Sequence, residues 1–187
     1  MPTRHEEPSG SFFVALGRED GLRHATSERP EPEACWAGEA PWLAHCDGGA
    51  WPNPGAMAMG AVLTSPSGEV HRLSQRLTGN GCNNEAEWRA AVAVLGFALQ
   101  HGARSLHLQT DSTQVRDHLS LRGHPALPPS LQAWVEEARA LAERLNHLTV
   151  KWVPRHRNAQ ADALARQALG LPPKAVQTPH PKARRRR

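Results

Sequence analysis

Four acidic residues stand where a solvated acid would need no such setting. Asp47 ends an apolar run at Cys46 and is followed by Gly48 and Gly49. Glu87 lies between Ala86 and Trp88, Asp111 closes the run "SLHLQT", and Asp162 sits between Ala161 and Ala163. A buried carboxylate is costly unless it is paired or metal-bound. Several that converge repel and raise one another's pKa. A divalent cation relieves that conflict, and oxygen ligands without Cys or His favour Mg2+ or Mn2+. Two such ions about 3.5–4 Å apart can clamp the attacking and leaving oxygens of a phosphoryl displacement. The simpler alternative is that each acid is an ordinary cap or exposed residue. Spacing alone does not decide whether the four meet.

Convergence would have to come from the elements that carry them. "LAHCDGGA" reads as a buried strand, "WPNPG" as a turn, "AMAMGAVLTS" as a second strand and "PSGE" as a hairpin turn. "VHRLSQRL" suits an exposed third strand, with "TGNGCNN" as a loop. Trp88, Val92, Leu95 and Leu99 recur at helical spacing, and Gly102 marks the end of that helix. "SLHLQT" is a fourth strand, and "DSTQVRDHLSL" a short helix stopping at Arg122-Gly123. Leu131 to Leu145 form a long amphipathic helix, and "HLTVKWV" is a fifth strand ended by Pro154. Ala161, Leu164, Ala165 and Ala168 line a last helix with Asn158 as N-cap. The order βββαβααβα predicts an α/β domain with a mixed sheet covered by helices. On it, Asp47 lies in or at the end of the first strand, Asp111 closes the fourth, and Glu87 and Asp162 lie early in helices.

The chain has 187 residues, 21% charged and 39% hydrophobic, enough for one domain with tails. The expected division is an N-terminal extension over 1–40, largely loop or disordered, a domain over 41–170 and a basic disordered tail over 171–187. The extension carries four basic and eight acidic residues, whereas residues 174–187 hold six basic and none acidic. The net charge of +4 therefore arises mainly in the tail, which either holds a polyanion through phosphate contacts or merely solubilises the chain. Three cysteines without a C-x-x-C support neither a disulfide framework nor a zinc knuckle. No apolar run is long enough for a membrane helix, and the start "MPTRHEEPSG" has no apolar signal segment. A cytoplasmic monomer without membrane contact is expected.

At its acidic positions the chain resembles the type 1 ribonuclease H family, in the compact branch related to reverse-transcriptase-like domains. The matching pieces are "DGGAWPNPGAMAMGAVL", "CNNEAEW", "LQTDS" and "VPRHRNAQADALARQAL", in family order over roughly residues 41–170. The resemblance implies a ribonuclease H-like fold, with a five-stranded mixed sheet whose third strand is an antiparallel edge. It implies two-metal cleavage of the RNA strand of an RNA–DNA hybrid, leaving 5′-phosphate and 3′-hydroxyl ends. Asp47 would bridge two Mg2+ or Mn2+ ions, with Glu87, Asp111 and Asp162 completing the set. Glu85 falls at a variable position and reads as a surface residue. Gly48 and Gly49 would let backbone approach the RNA strand. Asn83 and Asn84 would read the minor groove, or cap the helix.

The chain also departs from the family. Cys82 stands where the family usually has Thr, which helps hold a DNA phosphate, and is a much weaker hydrogen-bond partner. "LRGHPALPPSL" is too short for the basic handle of the longer branch. "PRHRNAQAD" is also short, so His156 either assists proton transfer or product release or is a surface histidine. Arg155 and Arg157 either contact phosphate or belong to a solvated loop. The competing functions are a nuclease of this fold acting on another nucleic acid, and a non-catalytic nucleic-acid-binding module.

Overall fold

The computed structural model describes residues 40–120, 126–172 and 174. The N-terminal extension, the expected helix stop at Arg122-Gly123 and the Arg-rich end of the tail lie outside these residues. The elements are β1 (Trp42–Trp51), β2 (Gly55–Thr64), β3 (Val70–Gly81), α1 (Asn83–Gln100), β4 (Ser105–Thr110), α2 (Thr113–Leu119), α3 (Pro129–Ala142), β5 (His147–Trp152), a 3₁₀ turn (Arg155–Arg157) and α4 (Ala159–Ala168). They form one five-stranded sheet in the order β3-β2-β1-β4-β5. The meander β1-β2-β3 is antiparallel, and β4 and β5 join it in parallel. This is the expected mixed sheet, with β3 as its antiparallel edge.

β1 alternates strictly, with Trp42, Ala44, Cys46, Gly48 and Ala50 buried and the intervening residues less so. The buried set faces α1, which turns Ala86, Trp88, Ala90, Ala91, Val94, Leu95 and Ala98 inward. Trp88, Leu95, Leu106 and Leu108 are fully buried in this core. Its Cβ periodicity of two puts Asp47 on the opposite face of the strand. Asp47 pairs with Gly60 of β2, and over Gly60 lies α4. A Cβ at Gly60 would collide with the Ala161 carbonyl and the Ala165 nitrogen. β2 is thus covered on both faces and buried at eight of its ten positions, as its unbroken apolar run requires.

Three boundaries differ from the sequence reading. β3 continues through Thr78–Gly81, which reads as a loop because it is polar and glycine-rich. Backbone pairing extends it, with Ala56 opposite Asn80 and Gly55 opposite Gly81. Arg89 of α1 also holds it, donating to the Thr78 carbonyl at 2.8 Å and hydroxyl at 3.2 Å. α2 ends at Leu119 and α3 at Ala142, each shorter than its apolar periodicity. Leu145 is still buried, but from the turn that follows α3. Among the described residues no helix is long and apolar enough to cross a membrane.

The Gly60–α4 contact makes a stability prediction. Gly60→Ala should lower unfolding free energy by about 1–3 kcal/mol, the usual range for overpacking, because backbone rather than a flexible side chain must yield. Gly96, in the middle of α1 with open space at its Cβ position, gives the opposite case. Gly96→Ala should stabilise by about 0.5–1 kcal/mol. Urea denaturation of both variants checks the contrast.

Candidate active site

β4 ends at Thr110, paired with Cys46 of β1, while β1 runs on for five more residues. Beyond that pair the sheet opens on one side of β1. Asp47 and Asp111 each follow the pair by one residue, so their backbones stand side by side where β4 reaches its carboxyl end and β1 runs on. That is where α/β sheets form their ligand crevices. An open cleft there is lined by Asp47, Glu87, Asp111 and Asp162, with Arg155 and Lys174 at its edge. The four acids thus share one cleft, from the middle of β1, the end of β4 and helices on opposite faces of the sheet.

Each acid has its own support. Glu87 is brought to β1 by Gly48, where a Cβ would collide with the Ala86 carbonyl and the Glu87 nitrogen. Only a glycine lets α1 pack this closely. Gly48 is buried, the space at its Cβ position is taken by the helix, and the residue also lines the cleft. Gly49 has open space at its Cβ position and lines the cleft. The Gly48 backbone N–H donates to Asp47 Oδ1 at 2.9 Å. Asp162 lies in the first turn of α4, where its amide donates to the Asn158 carbonyl at 3.1 Å.

Asn158 occupies the expected N-cap position of α4, but its side chain makes no capping bond. It is 1% exposed. Its Nδ2 donates to the Cys46 carbonyl at 2.9 Å and to Asp111 Oδ1 at 2.8 Å. This one amide ties the middle of β1 and the end of β4 to the start of α4. The other Asp111 oxygen lies 3.4 Å from Arg155 Nε. Trp152 Nε1 donates to the Asp111 carbonyl at 3.0 Å. Ser112 caps α2, accepting from the Val115 amide at 3.3 Å, and its side chain also bonds Glu87.

The remaining sequence candidates divide. Asn83 Oδ1 accepts from the Ala50 amide at 2.8 Å, and the Asn83 amide donates to Asn53 Oδ1 at 3.1 Å. The two asparagines lock the β1–β2 turn to the start of α1, with the Asn83 Nδ2 end left at the exposed rim. The N-cap is Cys82, without a side-chain cap bond, so neither Asn83 nor Asn84 caps the helix. Asn84 is exposed, as are His156 and Arg157 in the 3₁₀ turn, and none of these three lines the cleft. Glu85 is half-buried and 3.6 Å from Arg89.

The electrostatics follow from this crowding. Burial, then the charges of Asp111, Asp162 and Glu87, push the Asp47 carboxyl from 3.8 up to about 8. Burial also raises Glu87, with Asp111 adding to it and the Ser112 bond and Arg155 opposing. Burial raises the Cys46 thiol as well. Lys174 pairs with Asp162. Its segment is folded back by Arg166, which donates to the Pro172 carbonyl through Nε at 2.9 Å and Nη2 at 2.7 Å. With Asp162 turned to Lys174 and Asp111 shared between Asn158 and Arg155, no ready-made cage of three metal ligands exists among the described residues. The donor chemistry nevertheless fits a hard divalent cation: four carboxylates in mutual repulsion, and neither thiol nor imidazole on the cleft wall.

The sequence reading missed Asn158 as a site residue, along with Ser112, Trp152 and Lys174. Asn158 had one usable signal, its place four residues before Asp162 at the foot of the same helix. Ser112 directly follows Asp111. For Trp152 and Lys174 the sequence offers no comparable cue.

Comparison with known proteins adds a family. Residues 45–168 match the family model described as reverse transcriptase-like. A bifunctional protein of Mycobacterium tuberculosis is 37% identical over 124 residues, which cover 66% of this chain and 34% of that protein. The chain therefore spans about a third of this curated relative. The solved ribonuclease H1 of Halobacterium salinarum is 32% identical with a TM-score of 0.65, covering 70% of this chain and 98% of that one. LC11 ribonuclease H1, solved with an RNA/DNA hybrid, is alike in fold at 24% identity and a TM-score of 0.63, covering 69% of this chain and 96% of that one.

Two outcomes follow from the site's geometry. Asp47 keeps its proton in the folded, metal-free protein up to about pH 8, while the unfolded chain loses it near 3.8. The folded state then binds more protons, so stability falls as pH rises through that window. In a chelating buffer Asp47→Asn should flatten this decline and melt higher than the parent at pH 8, as thermal melts across pH will show. Asn158→Ala removes the donor shared by Cys46 and Asp111. It should destabilise by about 1–3 kcal/mol, the desolvation penalty of stranded partners, measured by denaturant titration.

Proposed function

The chain belongs to the reverse transcriptase-like branch of the ribonuclease H family, and we propose that it is an endoribonuclease that cuts the RNA strand of RNA–DNA hybrids. The observation that carries this reading is the meeting of Asp47, Glu87, Asp111 and Asp162 in one cleft. Those four side chains would hold two Mg2+ or Mn2+ ions, with Asp47 at the centre. Bound there, the ions would supply the charge that offsets the carboxylates and the polarisation of water and of the departing oxygen that phosphodiester hydrolysis requires. Water adds to phosphorus, the bond to the 3′ oxygen breaks, and the products carry a 5′ phosphate and a 3′ hydroxyl.

The residues around the carboxylates divide the remaining work. Asn158 fixes one oxygen of Asp111, while the other lies 3.4 Å from Arg155 Nε. Arg155, 86% exposed at its side chain and beside Asp111, is placed to meet a phosphate. Lys174 neutralises Asp162 in the metal-free protein and yields it when a divalent ion enters. Gly49 leaves space for the sugar-phosphate backbone. Distinguishing RNA from DNA depends on the 2′-hydroxyl and the minor groove. Asn83, its Oδ1 already engaged by Ala50, offers Nδ2 donors, which suit the acceptors that line that groove. A non-catalytic binding module is the weaker reading, because a polyanion gains nothing from four carboxylates at its docking site.

A cleavage panel tests the proposal: labelled RNA–DNA hybrid, duplex RNA, duplex DNA and a single ribonucleotide in DNA, each with Mg2+ or Mn2+. Cuts confined to RNA opposite DNA, lost on chelation, are expected. Asp47→Asn should lower kcat more than about a hundredfold, beyond the 10–100-fold typical of residues one step removed from a metal. An Asp47→Asn protein that cleaves at the parent rate would overturn the assignment of the site. Cleavage of duplex DNA or duplex RNA in preference to hybrid would move the chain to another substrate.

A further inference from the structure

Trp51 ends β1 with its indole 63% exposed, the most exposed large hydrophobic residue among those described. It is also part of the cleft wall, next to Gly49 and Asn83. A bare indole on a soluble surface has no folding reason to be there. Trp51 belongs to none of the buried clusters of the core. It is also absent from the aromatic contacts made by Trp42, His71, Phe97 and His101 at the other end of the sheet.

Its position follows from the strand. Residues two apart share a face, so Asp47, Gly49 and Trp51 form one row, running from the carboxylate past the open glycine to the indole. At about 3.3–3.4 Å per residue, four residues separate Asp47 from Trp51 by about 13 Å. That distance is too long for the indole to touch the phosphate that reacts. A polynucleotide lying along the row would instead meet it at a neighbouring nucleotide. The row is rigid at that end. The Ala50 amide is held by Asn83, the Asn83 amide by Asn53, and a Cβ at Gly55 would collide with the Pro52 carbonyl. The ring is thus presented on a fixed turn, so holding it against a ligand loses little backbone freedom.

We infer that Trp51 is a packing platform for a nucleotide flanking the cleavage point, laying its ring against the ribose that a hybrid exposes along its minor groove and setting the register of the strand over Asp47. An indole face suits the sugar of any nucleotide and carries no charge, so it grips a strand without adding to the positive potential of the site. This inference rests on the nuclease reading for the identity of the ligand, and the row Asp47–Gly49–Trp51 supplies the position. Trp51 acts on binding and placement, and the four acids remain the groups that touch the reacting atoms.

The test separates the two claims. Binding of a fluorescein-labelled hybrid by full-length Asp47→Asn protein is compared with Asp47→Asn/Trp51→Ala and Asp47→Asn/Trp51→Phe. Cleavage by the parent, Trp51→Ala and Trp51→Phe proteins is followed in parallel. The expected result is binding weakened roughly 5- to 100-fold by alanine, the span from a significant interface residue to a hot spot on truncation. Phenylalanine should recover most of it, and KM should rise in Trp51→Ala far more than kcat falls. The cut positions on one hybrid should also spread in Trp51→Ala, a readout that a purely structural role would not move. If Trp51→Ala binds and cuts as the parent does, the packing role is overturned and the nuclease reading stands. If the parent cleaves nothing in the panel, the nuclease reading falls. Loss of hybrid binding in the alanine variant, restored by phenylalanine, would then still support the platform. Trp51 is exposed, so both variants should fold, and matching melting temperatures verify it.

Discussion

Like charges forced together are the constraint around which this molecule is organised. Asp47 sits among three other carboxylates with little water to screen them, and its proton is held to about pH 8. Such a cluster loosens a fold unless the surrounding frame is stiff. Here the frame is the sheet centre, with β1 paired on both sides up to Cys46, α1 pressed against it at Gly48 and α4 against β2 at Gly60. Asn158 joins the middle of β1 and the end of β4 to α4 by hydrogen bonds to Cys46 and Asp111. These contacts bring backbone close to backbone, where there is little room to relax. The repulsion is therefore retained as a standing demand for positive charge rather than relieved by movement.

In the metal-free state that demand is met from within the chain. Arg155 stands beside Asp111 and Lys174 pairs with Asp162, so two of the four acids have a cation of their own. Both cations come from segments that follow the last strand, and both are more than half exposed at the side chain. An exposed lysine or arginine is a weakly held counter-ion. It lowers the energy of the clustered carboxylates while remaining easy to displace.

Much of this was legible in the chain, and the rest was hidden for physical reasons. The element order and all four acids could be read because each acid interrupts an apolar pattern, and such patterns mark core-facing positions. The extension of β3 was hidden because Thr78, Gly79, Asn80 and Gly81 look like a loop, and only Arg89 and the pairing with β2 make them a strand. Asn158 was read as a cap because asparagine at a helix start usually is one. Its actual bonds reach Cys46, over a hundred positions earlier in the sequence, a pairing no local pattern encodes. The packing of α1 on Gly48 was hidden as well, since a glycine shows that room is needed without showing what fills it. Trp51 reads as part of a turn, and its exposure beside the cleft becomes visible only when the sheet is assembled.

The contact between Gly48 and Ala86 has a consequence for heredity and for engineering. An α-helix turns about 100° per residue, so sliding α1 by one position against β1 would swing Glu87 away from Asp47 altogether. The two acids cannot drift apart by degrees. They are held in one mesh, like teeth of two gears, and the glycine is the notch that lets the teeth engage. Transplanting this pair of acids onto another sheet would therefore carry nothing across unless the notch travelled with them.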